Sequence, residues 1–275
     1  MPKHQLLYSY FGWSMPELIH LPLLRNPDQS KLSKRKNPTS VTYYRDQGYL
    51  PEALCNYLGL MGWSMPNEEE LFSLEAMTAA FDVDRIATSG PIFDQEKLSW
   101  MNGQYLRALD AKSYAAKVSA WMLNEERLTA LIPLVQERAE RLSDLVPLAD
   151  YLLGARKPLT PADFEHKALD RAQVVKILHH TLAMFDLKRE WQRDDLYASC
   201  NALAEQCDMK LRDFLFPLFI AISGREVSLP VFDSLVFLGA DLARGRLRDA
   251  LEVMGLSGKE RKRLDKEVER LSFSG

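Results

Sequence analysis

The stretch "RLTALIPLVQERAERLSDL", residues 127–145, decides the fold class that the sequence predicts. Its apolar side chains recur at steps of three and four residues, which is the period of an α-helix with one buried face. The apolar positions are Leu128, Leu131, Leu134, Val135, Ala139 and Leu142. No segment of the chain alternates between polar and apolar residues clearly enough to predict a sheet. The sequence therefore predicts a helix over this stretch and a mainly α fold.

Helix-start signals continue this pattern towards the carboxyl terminus. In "LTPADFEHKAL", Thr160 suits the N-cap, Pro161 the first helical position and Asp163 the first turn. In "LSGKERKRLDKEVERL", Ser257 and Glu260 have the spacing of a capping box. Both stretches are therefore predicted to begin helices.

Glycine and proline mark the breaks between segments. Gly154 and Pro158 interrupt the helical pattern, so the region after about residue 91 is predicted to form one or two helical bundles. The pentapeptide "GWSMP" occurs twice, at residues 12–16 and 62–66, with different flanks. We expect a helix to end at each of its glycines, followed by a turn.

Composition excludes several classes of protein. The chain has 275 residues and a formal net charge of -3, which argues against a generally sticky nucleic-acid binder but leaves room for a local basic face. Cys55, Cys200 and Cys207 form no CxxC pair, so free thiols are predicted and a zinc site is not. No apolar run reaches the ~20 residues that span a bilayer. The amino terminus lacks a signal-peptide pattern, and a cytoplasmic protein with no membrane partner is predicted.

The basic run "SKLSKR", residues 30–35, is a candidate phosphate-binding loop. Lys31 and Lys34 can approach one polyphosphate from the same side, and Ser33 can donate a hydrogen bond. Turn-forming Asn-Pro pairs lie on both sides of the run. Taken alone, such a short basic run more often indicates a solvated charged surface than a functional loop.

The context of this loop resembles a known family. The string "HLPLLRNPDQSKLSKRKNPTSVTYYRDQGYLPEALCNYLGLMGWSMP", with "GPIFDQEKLSWMNGQYL" after it, resembles the bacterial glutamyl-tRNA synthetases of class I. In that family a KMSKS-type loop ends the catalytic region, and a stem-contact segment follows. The resemblance implies three parts: the end of the catalytic region with the loop and the stem-contact domain over 1–102, and two α-helical anticodon-binding bundles over 103–158 and 159–275.

The resemblance also implies which residues bind ATP. Lys34 and Lys31 match the lysines that contact the phosphates of ATP, and they are the predicted catalytic residues. Ser33 belongs to the same loop, and Leu24 lies where the family's main chain touches adenine. ATP with Mg is implied for the intact enzyme, while no tightly bound cofactor and no protein metal site are expected in this chain.

A second set of residues matches the family's anticodon contacts. Arg138 falls where the family carries an arginine that reads the third anticodon base, with Arg141 as the alternative. The segment "FPLFIAISGREVSLPVFDSLVFLG" matches the region that holds the first two bases, at Ser228, Pro230, Val231 and Phe232. Unpaired bases are commonly held by such apolar and aromatic side chains, although Phe232 could equally be helix core.

One position departs from the family pattern. Phe219 stands where many members have an arginine. Two replacements for that contact are open: Phe219 stacks on a base, or Arg225 supplies the charge.

Part of the family's active site has no match in this sequence. None of the five histidines lies in a setting like the "HIGH" signature. We therefore expect a carboxy-terminal portion of a glutamate-tRNA ligase, monomeric, that binds tRNA-Glu but does not aminoacylate alone. Glutamate and ATP are expected partners of the intact enzyme, and tRNA-Gln is an open second substrate. The alternative is a non-catalytic helical adaptor that binds RNA or protein.

Overall fold

The computed structural model describes residues 2–32, 38–154 and 156–271. The chain forms two compact units: the first comprises Met1–Leu32 and Glu52–Met101, and the second comprises Ser33–Pro51 and Asn102–Gly275. Within the described residues there are α-helices and short 3-10 turns but no β-strand, so the predicted mainly α fold is confirmed. No helix of the described part is both long and apolar enough to cross a membrane.

The α-helices follow one another along the chain with short connections. They are α1 (Pro2–Phe11), α2 (Val41–Asp46), α3 (Pro51–Leu60), α4 (Leu74–Ala80), α5 (Gln95–Arg107), α6 (Ala111–Trp121), α7 (Glu125–Val135), α8 (Leu145–Leu153), α9 (Arg171–Leu187), α10 (Arg193–Gln206), α11 (Leu211–Ser223), α12 (Val231–Val253) and α13 (Gly258–Val268). Single 3-10 turns lie at Val83–Arg85, Gln136–Arg138, Leu142–Asp144 and Pro161–Phe164.

The first unit packs around a small aromatic core. Trp63, Met65 and Phe72 are buried together. The buried side chain of Asn56 on α3 holds the following loop, because its Nδ2 donates to the carbonyl of Glu70 (3.0 Å) and its Oδ1 accepts from the N–H of Phe72 (3.1 Å). Helix α1 ends at Phe11, directly before the first "GWSMP" motif, and α3 ends at Leu60, close to the second, as predicted.

The stretch that predicted the fold is interrupted in the structure. Helix α7 ends at Val135, and a new helix begins only at Leu145, so the predicted helix is wrong over residues 136–144. The cause is a local capping interaction: Asp144 Oδ2 accepts from the N–H groups of Glu140 (3.0 Å) and Arg141 (2.9 Å). These bonds cap the 3-10 turn Leu142–Asp144, which leads directly into α8. Leu142, predicted to lie on the buried face, is 97% exposed.

The two predicted helix starts have different outcomes. Thr160 is an N-cap as predicted, and its N–H donates to Asp163 Oδ2 (2.7 Å), but the cap begins only the 3-10 turn at Pro161–Phe164 rather than an α-helix. Ser257 caps α13 as predicted, since its Oγ accepts from the N–H of Glu260 (3.2 Å). The Glu260 carboxylate binds Arg171 (3.2 Å).

A buried arginine ties together the helix ends of the second unit. Arg246 on α12 is 6% exposed. Its guanidinium donates to the carbonyls of Tyr151 (2.5 Å) and Gly154 (3.1 Å) at the end of α8, and to that of Ile222 (2.5 Å) near the end of α11. Burial lowers the pKa of Arg246 to about 10, so the side chain remains charged at neutral pH. It satisfies three carbonyls at helix ends, where no intrahelical partner is available.

Replacing Arg246 is therefore expected to be costly. Arg246→Leu leaves three buried carbonyls without donors, and we expect a loss of about 2–4 kcal/mol in the free energy of unfolding. Urea unfolding followed by circular dichroism measures this change. Arg263→Leu, which removes an exposed arginine from α13, is the matched control and should cost less than about 0.5 kcal/mol. Equal effects of the two variants would contradict this role for Arg246.

Two adjacent histidines of α9, His179 and His180, are buried next to α13. His179 Nε2 lies 3.0 Å from Asp265 Oδ1. The Nε2 atom of His180 is buried without a hydrogen-bond partner, and Glu267 Oε2 lies 3.8 Å from it. Burial, followed by the neighbouring charges of His179 and Lys176, lowers the pKa of His180 to about 4. Burial also lowers the pKa of His179, against the opposing effect of Asp265.

These histidines predict acid lability. Because the pKa of His180 is lower in the folded chain than in the unfolded chain, the unfolded chain takes up the proton first. The contribution of His180 to stability is then fully present above about pH 6.5 and is lost as the pH falls towards 4, by about 3 kcal/mol. Urea unfolding between pH 4 and 7 measures the loss. His180→Leu should flatten this dependence, whereas His20→Gln, at an exposed position, should leave it as in the wild type.

Candidate functional site

The residues before the basic loop form a tight turn in the first unit. Asn26 is buried, and its Nδ2 donates to Ser30 Oγ (3.0 Å) and to the carbonyl of Lys31 (3.3 Å). The stem of the turn is closed by the N–H of Leu32, which donates to the carbonyl of Leu24 (3.0 Å). The turn holds the backbone at Lys31, while the Lys31 side chain is exposed.

Only two of the predicted ATP residues, Leu24 and Lys31, belong to the part of the chain that the structure describes. Ser33 and Lys34 lie outside the described residues. The side chain of Leu24 lines an apolar cavity of about 360 Å³ together with Leu58 and Met77. That placement agrees with a packing role for the Leu24 side chain and leaves its main chain as the predicted adenine contact.

Helix α2, a few residues after the loop, packs on α12 within the second unit. Thr42 Oγ1 donates to the carboxylate of Asp241. The Tyr43 ring is buried against Gly245, where an added Cβ would lie only 2.6 Å from the ring. Burial, with a smaller contribution from Asp249, raises the pKa of Tyr43 to about 12. The glycine therefore provides the space that the tyrosine occupies.

Two of the predicted anticodon residues are brought together in the second unit. Arg138 lies in the 3-10 turn after α7 and is exposed, and its Nη1 donates to the carbonyl of Ser228 (3.0 Å). Pro230 is exposed at the N-cap of α12, two residues further on. The alternative residue, Arg141, instead pairs with Asp144 in its own turn (3.2 Å).

The other predicted residues of that region point inwards. Val231 and Phe232 are 4% and 7% exposed. The Phe232 ring packs edge-on against Tyr197, with 5.4 Å between the ring centroids. This burial favours the helix-core alternative for Phe232, because a base could stack on it only after the packing changed. A base contact by either side chain stays a prediction.

The position that departs from the family pattern is part of a helix end. Phe219 is partly buried on α11, and its carbonyl accepts from Ser223 Oγ (2.8 Å). Arg225, the alternative source of charge, donates to the carbonyl of Pro147 (2.7 Å) and forms an ion pair with Asp150 (2.5 Å). An anion at this position would therefore compete with Asp150 for Arg225.

Sequence reasoning missed the buried polar support beneath these residues. Tyr151 OH and Ser234 Oγ lie 2.7 Å apart, and Ser234 Oγ also donates to the carbonyl of Pro230 (2.9 Å). Burial raises the pKa of Tyr151, so it stays protonated and able to donate. A serine four residues into an apolar helix start was the available signal, since serine there can bond to the preceding turn.

Comparison with known proteins agrees with this arrangement. The "Anticodon binding domain" family matches residues 110–251, which include Arg138, Ser228 and Pro230. The family "tRNA synthetases class I (E and Q), catalytic domain" matches residues 1–100. The chain therefore belongs to the anticodon-binding-domain family, and its first 100 residues match the catalytic-domain family of the class I tRNA synthetases.

The similar proteins with a known name are glutamate–tRNA ligases. The glutamate–tRNA ligase of Marinobacter nauticus is 50% identical over 268 residues, which are 97% of this chain and 54% of that protein. The glutamate–tRNA ligase of Saccharophagus degradans is 50% identical over 273 residues, or 98% of this chain and 54% of that protein. A solved structure of a glutamate tRNA ligase from Elizabethkingia meningosepticum is 26% identical, with a TM-score of 0.45, and the match covers 92% of this chain and 54% of the other. This chain thus spans about half the length of the curated relatives it matches.

The contact between α2 and α12 can be tested by one substitution. Gly245→Ala places a methyl group 2.6 Å from the buried Tyr43 ring, which must then move. We expect a loss of about 1–3 kcal/mol in the free energy of unfolding from this overpacking. Gly258→Ala is the matched control, because an added Cβ there meets nothing within 4 Å. Thermal unfolding of both variants measures the difference, and recovery of stability in Gly245→Ala by Tyr43→Leu would identify the ring as the clashing group.

Proposed function

We propose that this chain is the tRNA-binding portion of a glutamate–tRNA ligase, together with the closing part of its catalytic region. The observation that carries this proposal is the hydrogen bond from Arg138 to the carbonyl of Ser228 (3.0 Å), which holds an exposed arginine against the loop that precedes Pro230, within the region that matches the anticodon-binding domain. In the full-length protein the substrates are then ATP, glutamate and tRNA-Glu. We also propose that the protein is a monomer and acts in the cytoplasm, where aminoacyl-tRNA is used.

The geometry of Arg138 suits the reading of a base edge. Its Nη1 donates to the Ser228 carbonyl (3.0 Å), which anchors one end of the guanidinium. The remaining N–H groups are available to acceptors on an unpaired base, and the planar fork can also stack on a ring. Pro230, two residues after Ser228, presents an exposed apolar ring against which a neighbouring base can pack. Together the two residues form the proposed anticodon reader, in which Arg138 supplies hydrogen-bond donors and Pro230 supplies an apolar surface.

On the catalytic side, Lys31 is the described residue that acts. Its ammonium is exposed at the end of the turn closed by Leu24 and Leu32. A positive charge there would offset the negative charge that develops on the phosphates when the carboxylate of glutamate attacks the α-phosphate of ATP. Lys34 and Ser33 are proposed to act beside it on the same phosphates.

Magnesium has no ligand set in the described part of the chain. No group of three or more His, Cys, Asp or Glu side chains there could hold a metal ion. The Mg²⁺ that the family uses with ATP would need ligands from the nucleotide itself and from residues beyond those described. We therefore assign it no step that involves the residues of this chain.

The anticodon role is tested by comparing two arginines of the same turn region. Wild type, Arg138→Gln and Arg141→Gln are titrated by filter binding against tRNA-Glu transcripts that differ only at the third anticodon base, at one stated salt concentration. We expect wild type to prefer the cognate base and Arg138→Gln to lose roughly tenfold of that preference, since a good base contact is worth about 1–3 kcal/mol. Arg141→Gln, whose arginine pairs with Asp144, should keep the preference.

Other outcomes of this experiment are equally informative. Equal binding of all transcripts by wild type would reject the anticodon assignment and favour the helical adaptor. A loss in Arg141→Gln alone would transfer the role to that residue. Transcripts of tRNA-Gln in the same titration decide whether this chain separates the two tRNAs. Aminoacylation turnover by this chain alone would contradict the proposal that it needs the rest of the enzyme.

A further inference from the structure

A second cavity lies in the second unit, formed by residues 45–51 and helices α6 and α7. Its volume is about 660 Å³, within the range of sites that hold small molecules. None of the residues assigned above to ATP or to the anticodon lines it. The cavity is therefore not explained by the proposed function.

Two aromatic side chains of α6 line this cavity. Trp121 is held in place, because its Nε1 donates to the carbonyl of Asp46 (3.3 Å) and the backbone of Gly48 lies against its ring. A Cβ at Gly48, whose φ is +83°, would lie 3.2 Å from the indole. Tyr114 is 43% exposed. A fixed indole with a partly exposed phenol beside it is the kind of surface on which nucleic-acid bases stack.

Arg127 on α7 supplies an unpartnered cation to the same wall. Its Nε and Nη2 are buried and have no hydrogen-bond acceptor among the described residues. The guanidinium lies over the ring of Phe237, with Cζ 5.1 Å from the ring centroid. Buried N–H groups of a charged side chain are costly without acceptors, so a missing partner is expected.

The charges around the cavity indicate that this partner is an anion. Arg45 and Asp46 both line the wall but pair with each other (3.0 Å). Lys117 and Glu126 also line it, one of each sign. Among the described residues that line the cavity, three cationic side chains therefore face two carboxylates, which leaves a net positive charge. A phosphate offers several acceptor oxygens to the fork of a guanidinium.

From these observations we infer that the cavity binds one nucleotide unit. The phosphate accepts from the guanidinium of Arg127, and the base packs against Trp121 and Tyr114. Such a unit has two sources, an unpaired nucleotide of an RNA strand or a free nucleoside monophosphate. Only the RNA source rests on the proposed function.

The test uses the whole 275-residue chain and probes of both sources. AMP, and adenosine as the form without phosphate, are titrated by equilibrium dialysis, and a tRNA-Glu transcript is titrated by filter binding at several salt concentrations. The variants are Arg127→Met, Arg127→Lys and, as a matched control, Arg263→Met at an exposed arginine of α13. Thermal unfolding confirms folding, and Arg127→Met should be no less stable than wild type because it removes a buried unpartnered charge.

We expect AMP to bind wild type more tightly than adenosine does, and Arg127→Met to weaken AMP binding about tenfold, in line with loss of a charge-assisted hydrogen bond. Arg127→Lys should lose less, and Arg263→Met nothing. If the source is an RNA strand, Arg127→Met also weakens tRNA binding, and the slope of log affinity against log salt falls by about one. If the source is a free nucleotide, tRNA binding stays as in the wild type.

Binding of AMP and tRNA that is independent of Arg127 would overturn the inference. The results also separate failure of the nucleotide site from failure of the proposed tRNA-binding function. If wild type binds no tRNA while AMP binding depends on Arg127, the proposed function is rejected and the nucleotide site remains. If tRNA binding shows the Arg138 effect and neither probe responds to Arg127, the reverse holds.

Discussion

The second unit depends on one buried charge, the guanidinium of Arg246. An α-helix leaves its last carbonyls without intrahelical donors, and a helix end that is covered by other helices must find donors elsewhere. Here α8 and α11 both end at α12, and Arg246 donates to carbonyls of both. Because a charged side chain replaces several neutral donors, the three helices meet at one fixed point. The proposed anticodon reader is built on the same helices, since Ser228 lies between the end of α11 and the start of α12.

The same helix carries the segment that follows the basic loop. Helix α2 packs on α12 through Thr42 and Tyr43, which places residues 38–51 with the carboxy-terminal helices rather than with the residues that precede the loop. The loop at Lys31 is stabilised by a different set of contacts, those of Asn26 in the first unit. The proposed ATP contact at Lys31 and the proposed anticodon reader therefore depend on different sets of packing contacts, one set in each unit.

Much of the fold could be predicted from helical periodicity and caps, and the exceptions have local causes. The spacing of apolar residues indicated α7 correctly, but the cap at Asp144 overrode it after Val135. Thr160 was recognised as a cap, although nothing in its neighbourhood showed that the turn would stop at Phe164. Among the site residues, the pairing of Arg138 with Ser228 joins positions 90 residues apart, and periodicity carries no information about such contacts. The burial of Arg246 was only weakly indicated by the sequence: it lies four residues from Leu242 and from Ala250, on the same face of the helix.

The fit between Tyr43 and Gly245 has a consequence for the history of the sequence. The ring fills the space that any side chain at position 245 would need, so neither position can change size independently of the other. Drift at one site is then tolerated only with a compensating exchange at its neighbour, despite some two hundred residues of separation along the chain. We therefore expect the segment after the loop and helix α12 to be inherited together. If a related gene replaced only one of them, the sizes of the residues at positions 43 and 245 would no longer match.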